Sequence, residues 1–449
     1  MWREKLIPAF LFLVTFTAGL LTFPPWKTLT YDEALYIDIA RSIAEGRGFT
    51  YQGVYMMYRP PLYPYTLSLI LYFLPYGHHL AVARLVSLLF HSLTAVLVYF
   101  LASALLGDKW KAVTASLFYI FNPLAFTMAT RALVHAEFTF FYTLSLYMLF
   151  TAGDWRRTVL AFFFAALAVL TRYTGLTIVG VIFTYLYLTE HWTWVRRREI
   201  WLGLAVFLLT LFPWLYLGHL HYGGFLRPFE VASRVVTMDK PISASDFLRM
   251  LIKDIGFVLP LLSAVGFVTL KKDRIGWFLI SWLTVGLFGI LTVIHKETRF
   301  VTFLSPAFAV LTSLGVAFLI DVARRFVGIP RKFLVFLLLS GILLVPVVYS
   351  ALSLKDEWDS AWLPENEVLS CAVAYKAEKI LVSPRLYTLA GYYFPDADVK
   401  MLLSPDDVQG AEYDLIIAKG IPVPEGYSRA PCPGPYMVFL KRSMSTSRP

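Results

Sequence analysis

Apolar runs of roughly twenty residues recur from residue 6 to residue 351, with short basic clusters between them. No other feature constrains the fold as strongly. A bilayer core takes about 20 consecutive, mostly apolar residues per helix, and backbone that crosses it must satisfy its own hydrogen bonds. Composition agrees: the chain is 58% hydrophobic and 16% charged, against roughly 45–50% and about 25% for soluble domains. Spans are expected near 6–24, 80–106, 112–129, 132–151, 158–171, 174–189, 200–219, 250–270, 276–294, 300–320 and 332–351, about eleven in all. The chain therefore reads as an α-helical polytopic membrane protein.

The basic residues set an orientation. Arg3 and Lys5 precede the first run, and every second loop after it is basic: Lys109 and Lys111; Arg156 and Arg157; Arg196, Arg197 and Arg198; Lys271, Lys272 and Arg274; Arg324, Arg325, Arg331 and Lys332. The positive-inside rule places these loops in the cytoplasm, with the N-terminus inside and the C-terminus outside. The formal charge of +10 is thus explained by topology, and no nucleic-acid partner is expected. Phe23, Pro24, Pro25 and Trp26 follow the first run where a signal peptide would show small residues, so that run is read as a helix.

From residue 352 to 449 the composition turns polar. Strands are expected over Lys379–Val382, Val399–Leu403, Asp414–Ala418 and Tyr436–Leu440, with a helix over Leu386–Tyr393. This reads as a small external α/β domain following a transmembrane domain over 1–351. Cys371 and Cys432 both lie in it. An external compartment permits a disulfide between them; two unpaired buried thiols are the alternative.

The external loop over 26–61 is longer than a mere connector needs. Thr30-Tyr31-Asp32-Glu33 reads as a capping box. Leu35, Ile39 and Ile43 then form one stripe, with Asp38, Arg41 and Glu45 elsewhere, as in an amphipathic helix lying on the membrane surface. The apolar run 62–76 is short and contains Pro64, which makes it re-entrant or interfacial. Acidic residues in a first helical turn also serve the helix dipole, so Asp32 and Glu33 have a structural reading beside a catalytic one.

Other ionisable residues collect on the same side. Arg131, His135 and Glu137 flank the outer end of one span; a self-satisfied Arg–Glu pair is the plain alternative to a functional role. Arg172 ends another span, where it can simply snorkel to the interface. His295-Lys296-Glu297-Thr298-Arg299-Phe300 is a basic cluster on the side where the positive-inside rule disfavours one. In a helix, His295, Lys296 and Arg299 would share a face and suit a phosphate. A solvated turn with an internal Glu–Arg pair is the alternative.

Tyr31-Asp32-Glu33-Ala34, Arg59-Pro60-Pro61-Leu62-Tyr63-Pro64 and the Arg131–Glu137 segment resemble the GT-C glycosyltransferases. The nearest branch holds protein O-mannosyltransferases and the aminoarabinose transferase of lipid A. His295–Phe300 is similar to the HKExRF signature of dolichol-dependent mannosyltransferases. The tail does not resemble the β-trefoil of eukaryotic protein mannosyltransferases, which leaves the acceptor open. The resemblance covers roughly residues 1–320. It implies transfer of a sugar, with a hexose such as mannose favoured, from a polyprenyl- or dolichyl-phosphate donor to a hydroxyl on a protein, glycolipid or oligosaccharide. In that reading Asp32 is the base, and Glu33 orients the acceptor or helps hold a metal. Lys296, Arg299, Arg59 and Arg172 bind the donor phosphate, while Glu137, His135, Arg131 and His295 contact acceptor or metal. A divalent metal is compatible with these residues and not required by them. The competing class is a lipid-linked sugar flippase or another transporter, but the charges sit at the outer ends of spans and no repeat is evident. A non-catalytic membrane scaffold is a third class.

Overall fold

The structure, a computed structural model, describes residues 2–24, 28–237, 241–326, 331–360, 362–408 and 413–442. The chain divides into two compact units. One holds residues 1–23, 57–63 and 84–355; the other holds 24–56, 64–83 and 356–449.

The first unit is built of helices. Each apolar segment read from the sequence is helical. Among the described residues four helices are long and apolar enough to cross a membrane: Tyr76–Leu106, Arg198–Tyr222, Arg274–Leu291 and Thr298–Arg325. Two bent pairs raise the number to as many as six. Lys109–Ile120 and Pro123–Ala129 meet at 61°, where Asn122 accepts from the Ala125 amide and starts the second piece. Ala244–Ile255 and Val258–Val268 meet at 106°. The expected continuous span 250–270 is therefore two helices. Gly256, at φ +80°, makes the turn, which costs a residue without a Cβ little. The helices His135–Phe150, Trp155–Thr171 and Thr177–Glu190 are apolar but shorter.

Packing in this unit is aromatic and close. Tyr142 and Phe138 lie 4.7 and 5.3 Å from the Phe303 ring, and Trp282 stacks on Tyr142. Val258–Val268 and Ser305–Phe326 approach through Gly266 and Gly315: a Cβ on either would overlap the other helix's backbone. Small residues at such crossings let backbones meet in an apolar medium.

The second unit joins loop and tail segments. Its five-stranded sheet runs in the order Asp398–Met401, Lys379–Val382, Leu415–Ala418, Met437–Lys441, Tyr427–Ala430. The first three are parallel and the last two pair antiparallel. The four expected strands are present within a residue or two, and the Leu386–Tyr393 helix runs from Pro384 to Tyr393. Strand Tyr427–Ala430 and helix Pro364–Ala372 were not foreseen. Cys371 and Cys432 are joined as a disulfide.

The loop helix Tyr31–Ala44 corrects the surface-helix expectation. Every residue from Glu33 to Ser42 is buried, including Asp38 and Arg41. The polar face is covered by helix Pro384–Tyr393 of the same unit, so both faces pack against protein. Helix Leu62–Leu71 has ten residues, a rise of about 15 Å, half of a hydrocarbon core of about 30 Å. Leu69, Tyr72 and Phe73 on and just after it are largely exposed.

Candidate active site

The candidate residues fall into two groups, each within one unit. Asp32 and Glu33 belong with the tail; the remaining eight candidates lie in the helical unit.

Glu33 is fully buried, and its carboxylate closes the capping box: it accepts from the Thr30 amide at 3.0 Å and the Thr30 hydroxyl at 3.1 Å. These bonds satisfy donors that a helix start leaves open. Asp32, one residue earlier, is half-buried. Of the two carboxylates, Asp32 is the one with access to solvent. Burial, then the nearby Glu365 charge, raises the Tyr31 phenol above its ordinary range.

Asp38 and Arg41 follow on the same helix, with Arg41 Nη2 donating to Asp38 Oδ1 at 2.9 Å. Asp38 Oδ2 and Arg41 Nε and Nη1 have no hydrogen-bond partner. Burial outweighs the attraction of Arg41 and holds the Asp38 carboxyl up at about 7. Sequence reasoning placed this pair on a solvated face; an acid and a base at i,i+3 gave no sign of being covered.

In the helical unit the signature segment is not helical where expected. Residues 293–297 are irregular, and a 3₁₀ helix begins at Thr298. The extended backbone at Glu297 sends alternate side chains to opposite sides. Glu297 therefore holds both His295, at 3.0 Å, and Arg299. Lys296 points the other way: it is buried, and its Nζ donates to the Ile242 carbonyl at 2.9 Å. The shared helical face for His295, Lys296 and Arg299 is thus replaced by two separate settings. Thr298 donates to Asp254 and ties the segment to helix Ala244–Ile255.

Arg172 caps helix Trp155–Thr171 with extended backbone. Its Nη1 lies 3.0 Å from His135 Nδ1, and its guanidinium sits 4.1 Å from the Phe300 ring centroid. An arginine can only donate, so the His135 ring is the acceptor of this contact. Both Arg172 and Arg299 act electrostatically on His135. The fold thus gathers Arg172, His135, Arg299 and Phe300 from three separate segments; the Phe138–Phe303 contact packs the helix of His135 against the segment that carries Arg299 and Phe300. Arg131 and Glu137 are fully buried nearby in sequence. Arg59 is half-buried, its guanidinium 5.3 Å from the Tyr58 ring.

An apolar cavity of about 180 Å³ adjoins the signature segment, lined by Phe118, Leu251, Leu259, Val301, Leu304 and Phe308 among others. Among the described residues no three His, Cys, Asp or Glu side chains gather as a metal site.

Residues 58–217 match the family model of dolichyl-phosphate-mannose-protein mannosyltransferase. An uncharacterized protein of Aquifex aeolicus is 29% identical over 224 residues, 46% of this chain; the match spans 44% of that protein, less than half its length. The fold is similar to that of ArnT from Cupriavidus metallidurans bound to undecaprenyl phosphate, with a TM-score of 0.74 at 15% identity, over 98% of this chain and 99% of that one. It is also similar to the archaeal oligosaccharyltransferase AglB from Archaeoglobus fulgidus in complex with an inhibitory peptide and a dolichol-phosphate. There the TM-score is 0.57 at 13% identity, over 90% of this chain and 65% of that one. The resemblance to GT-C glycosyltransferases carried by the motifs therefore holds across the fold.

Proposed function

We propose that this membrane protein is an inverting glycosyltransferase that moves a sugar from a polyprenyl-phosphate donor to a hydroxyl acceptor on the external face. The observation that carries the reading is Arg172, in contact with His135 and lying over Phe300 with Arg299 next to it in the chain, on a segment that runs on into the wall of an apolar cavity at Val301 and Leu304. It offers cations for a phosphate next to apolar walls for a lipid. The fold shared with a protein crystallised with undecaprenyl phosphate supports it.

In this reading Asp32 takes the proton as the acceptor hydroxyl attacks the anomeric carbon. The bond to the phosphate oxygen breaks, and the polyprenyl phosphate leaves with the negative charge. One displacement inverts the anomeric centre. Positioned cations favour that leaving group most where water is excluded, and Arg172 and Arg299 take this role. Lys296, buried on a carbonyl, orders the segment and adds its charge; Arg59 supplements the phosphate site. Glu33 is the brace of the catalytic turn. Arg131, His135, Glu137 and His295 line or orient the site. A hexose such as mannose is the sugar that the signature segment favours, and the acceptor is a protein, glycolipid or oligosaccharide.

We assign about eleven spans, counting the shorter apolar helices as crossings in company with their neighbours, with the N-terminus cytoplasmic and the tail external.

The test is transfer of labelled mannose from dolichyl-phosphate mannose by the full chain in lipid nanodiscs, with peptide and glycolipid acceptors offered together. Transfer that needs Arg172 and Arg299 supports the reading. Donor binding without transfer from any of several donor sugars sinks it in favour of a flippase.

A further inference from the structure

We infer that the C-terminal α/β domain is the element that positions the Asp32 helix, and that Asn366 is its positioning residue at the catalytic end. This rests on Asp32 being the base.

Asn366 lies on helix Pro364–Ala372 and is fully buried. Its Nδ2 donates to the Leu29 carbonyl at 2.9 Å, one residue before the helix cap Thr30. Its Oδ1 accepts from the Tyr393 hydroxyl at 3.1 Å. One side chain therefore joins the segment that feeds the catalytic turn to the last residue of helix Pro384–Tyr393. Only an amide offers both a donor and an acceptor in that form. The helix that carries Asn366 is itself held by the Cys371–Cys432 disulfide and by Tyr436, which donates to buried Glu365 at 3.2 Å.

The middle of the loop helix is held to the same partner. Arg41 Nη2 bonds both Asp38 and the Gly391 carbonyl, the latter at 3.2 Å. Gly391 must lack a side chain, since a Cβ there would overlap Asp38 Oδ2 and meet the Tyr51 ring at 2.6 Å. Tyr51 donates to the Tyr387 carbonyl, and the two rings meet edge-on at 5.1 Å. Tyr76 packs against Tyr392 at 5.5 Å. These contacts recur along helix Pro384–Tyr393; those of Arg41 and Asp38 tie the loop helix to it, and Asn366 ties the segment before the catalytic turn to the last residue of that helix. A general base works only within hydrogen-bond reach of the proton it takes. A misplacement of about 1 Å costs on the order of 100-fold in rate. A domain with no other assigned role thus supplies what the reaction needs.

The experiment uses the full chain in nanodiscs as wild type, Asn366→Asp, Asn366→Ala and Tyr393→Phe. Transfer kinetics with dolichyl-phosphate mannose, thermal unfolding and amide hydrogen exchange over residues 29–36 are read on each. Asn366→Asp keeps the shape but loses the donor to Leu29. It should lower kcat by about 10- to 100-fold while KM for the donor stays within about twofold. Exchange should rise over residues 29–36 and not across the rest of the unit, and Tyr393→Phe should fall between it and wild type. Unchanged kcat and exchange in both Asn366 variants would overturn the inference. So would a loss of donor binding in step with kcat, or exchange that rises across the whole unit, since Asn366 would then be merely structural. If the wild type transfers no sugar, the functional proposal fails, and the exchange data still decide whether Asn366 holds the catalytic turn.

Discussion

At the scale of single residues, two neighbouring carboxylates differ in exposure. Glu33 is sealed into a cap, whereas Asp32 keeps access to solvent. Asp32→Asn should therefore lower transfer by about 10²- to 10⁴-fold, with donor affinity unchanged in an equilibrium binding assay. Thr30→Ala should instead lower stability by about 1 kcal/mol through the lost cap, seen as a lower unfolding temperature. Asp38 makes a third kind of carboxylate. Its ordinary value is 3.8 and burial lifts it to about 7, so between these values the folded chain keeps a proton that the unfolded chain has released. Its contribution to stability is then largest at acid pH and falls as pH rises through that window. Unfolding temperatures measured from pH 4 to pH 8 should show this decline in the wild type, and Asp38→Asn should remove that component.

Elements explain why the basic residues converge. The signature segment is irregular up to Glu297, whose backbone is extended, and then enters a 3₁₀ helix, so its side chains do not share a helical face. Arg299 and His295 are held by Glu297, while Lys296 is turned to a carbonyl. Arg172 reaches the same region from the end of another helix and lies over the Phe300 ring, 4.1 Å from its centroid. A lysine at that position keeps the charge but not the delocalised guanidinium with its fork of donors. Arg172→Lys should thus weaken donor binding nearly as much as Arg172→Ala, by roughly 1–2 kcal/mol, read by titration with the lipid phosphate. Gly391→Ala tests the covered face of the loop helix. The added methyl collides with Asp38 and Tyr51, and overpacking of this kind costs about 1–3 kcal/mol.

For the molecule as a whole, the disulfide and the topology are open to direct measurement. Cys371 and Cys432 are 61 residues apart, and removing a native disulfide from a small external domain costs about 2–5 kcal/mol. Reduction should lower the unfolding temperature of the tail, and Cys371→Ser should reproduce the effect. Labelling of single introduced cysteines in intact cells should find position 419 accessible from outside and position 272 protected.

Several conclusions needed nothing beyond the sequence. Membrane residence, the helical segments, the sheet strands and the capping box are local properties, set by apolar length, by alternation and by residues three apart in the chain. The motifs also pointed to the candidate residues and to a resemblance that the fold then bore out. What the tertiary structure decided is every feature that depends on what covers a side chain. Asp38 and Arg41 look solvated until helix Pro384–Tyr393 is laid over them. Arg172 looks like an interfacial arginine until His135 and Phe300 arrive from 37 residues before it and from the signature segment. Asn366 carries no local signal at all, because its partners lie 337 and 27 residues away. Periodicity reports which face of an element is apolar. It cannot report which polar face another element will bury, since that choice is made by contacts between distant parts of the chain.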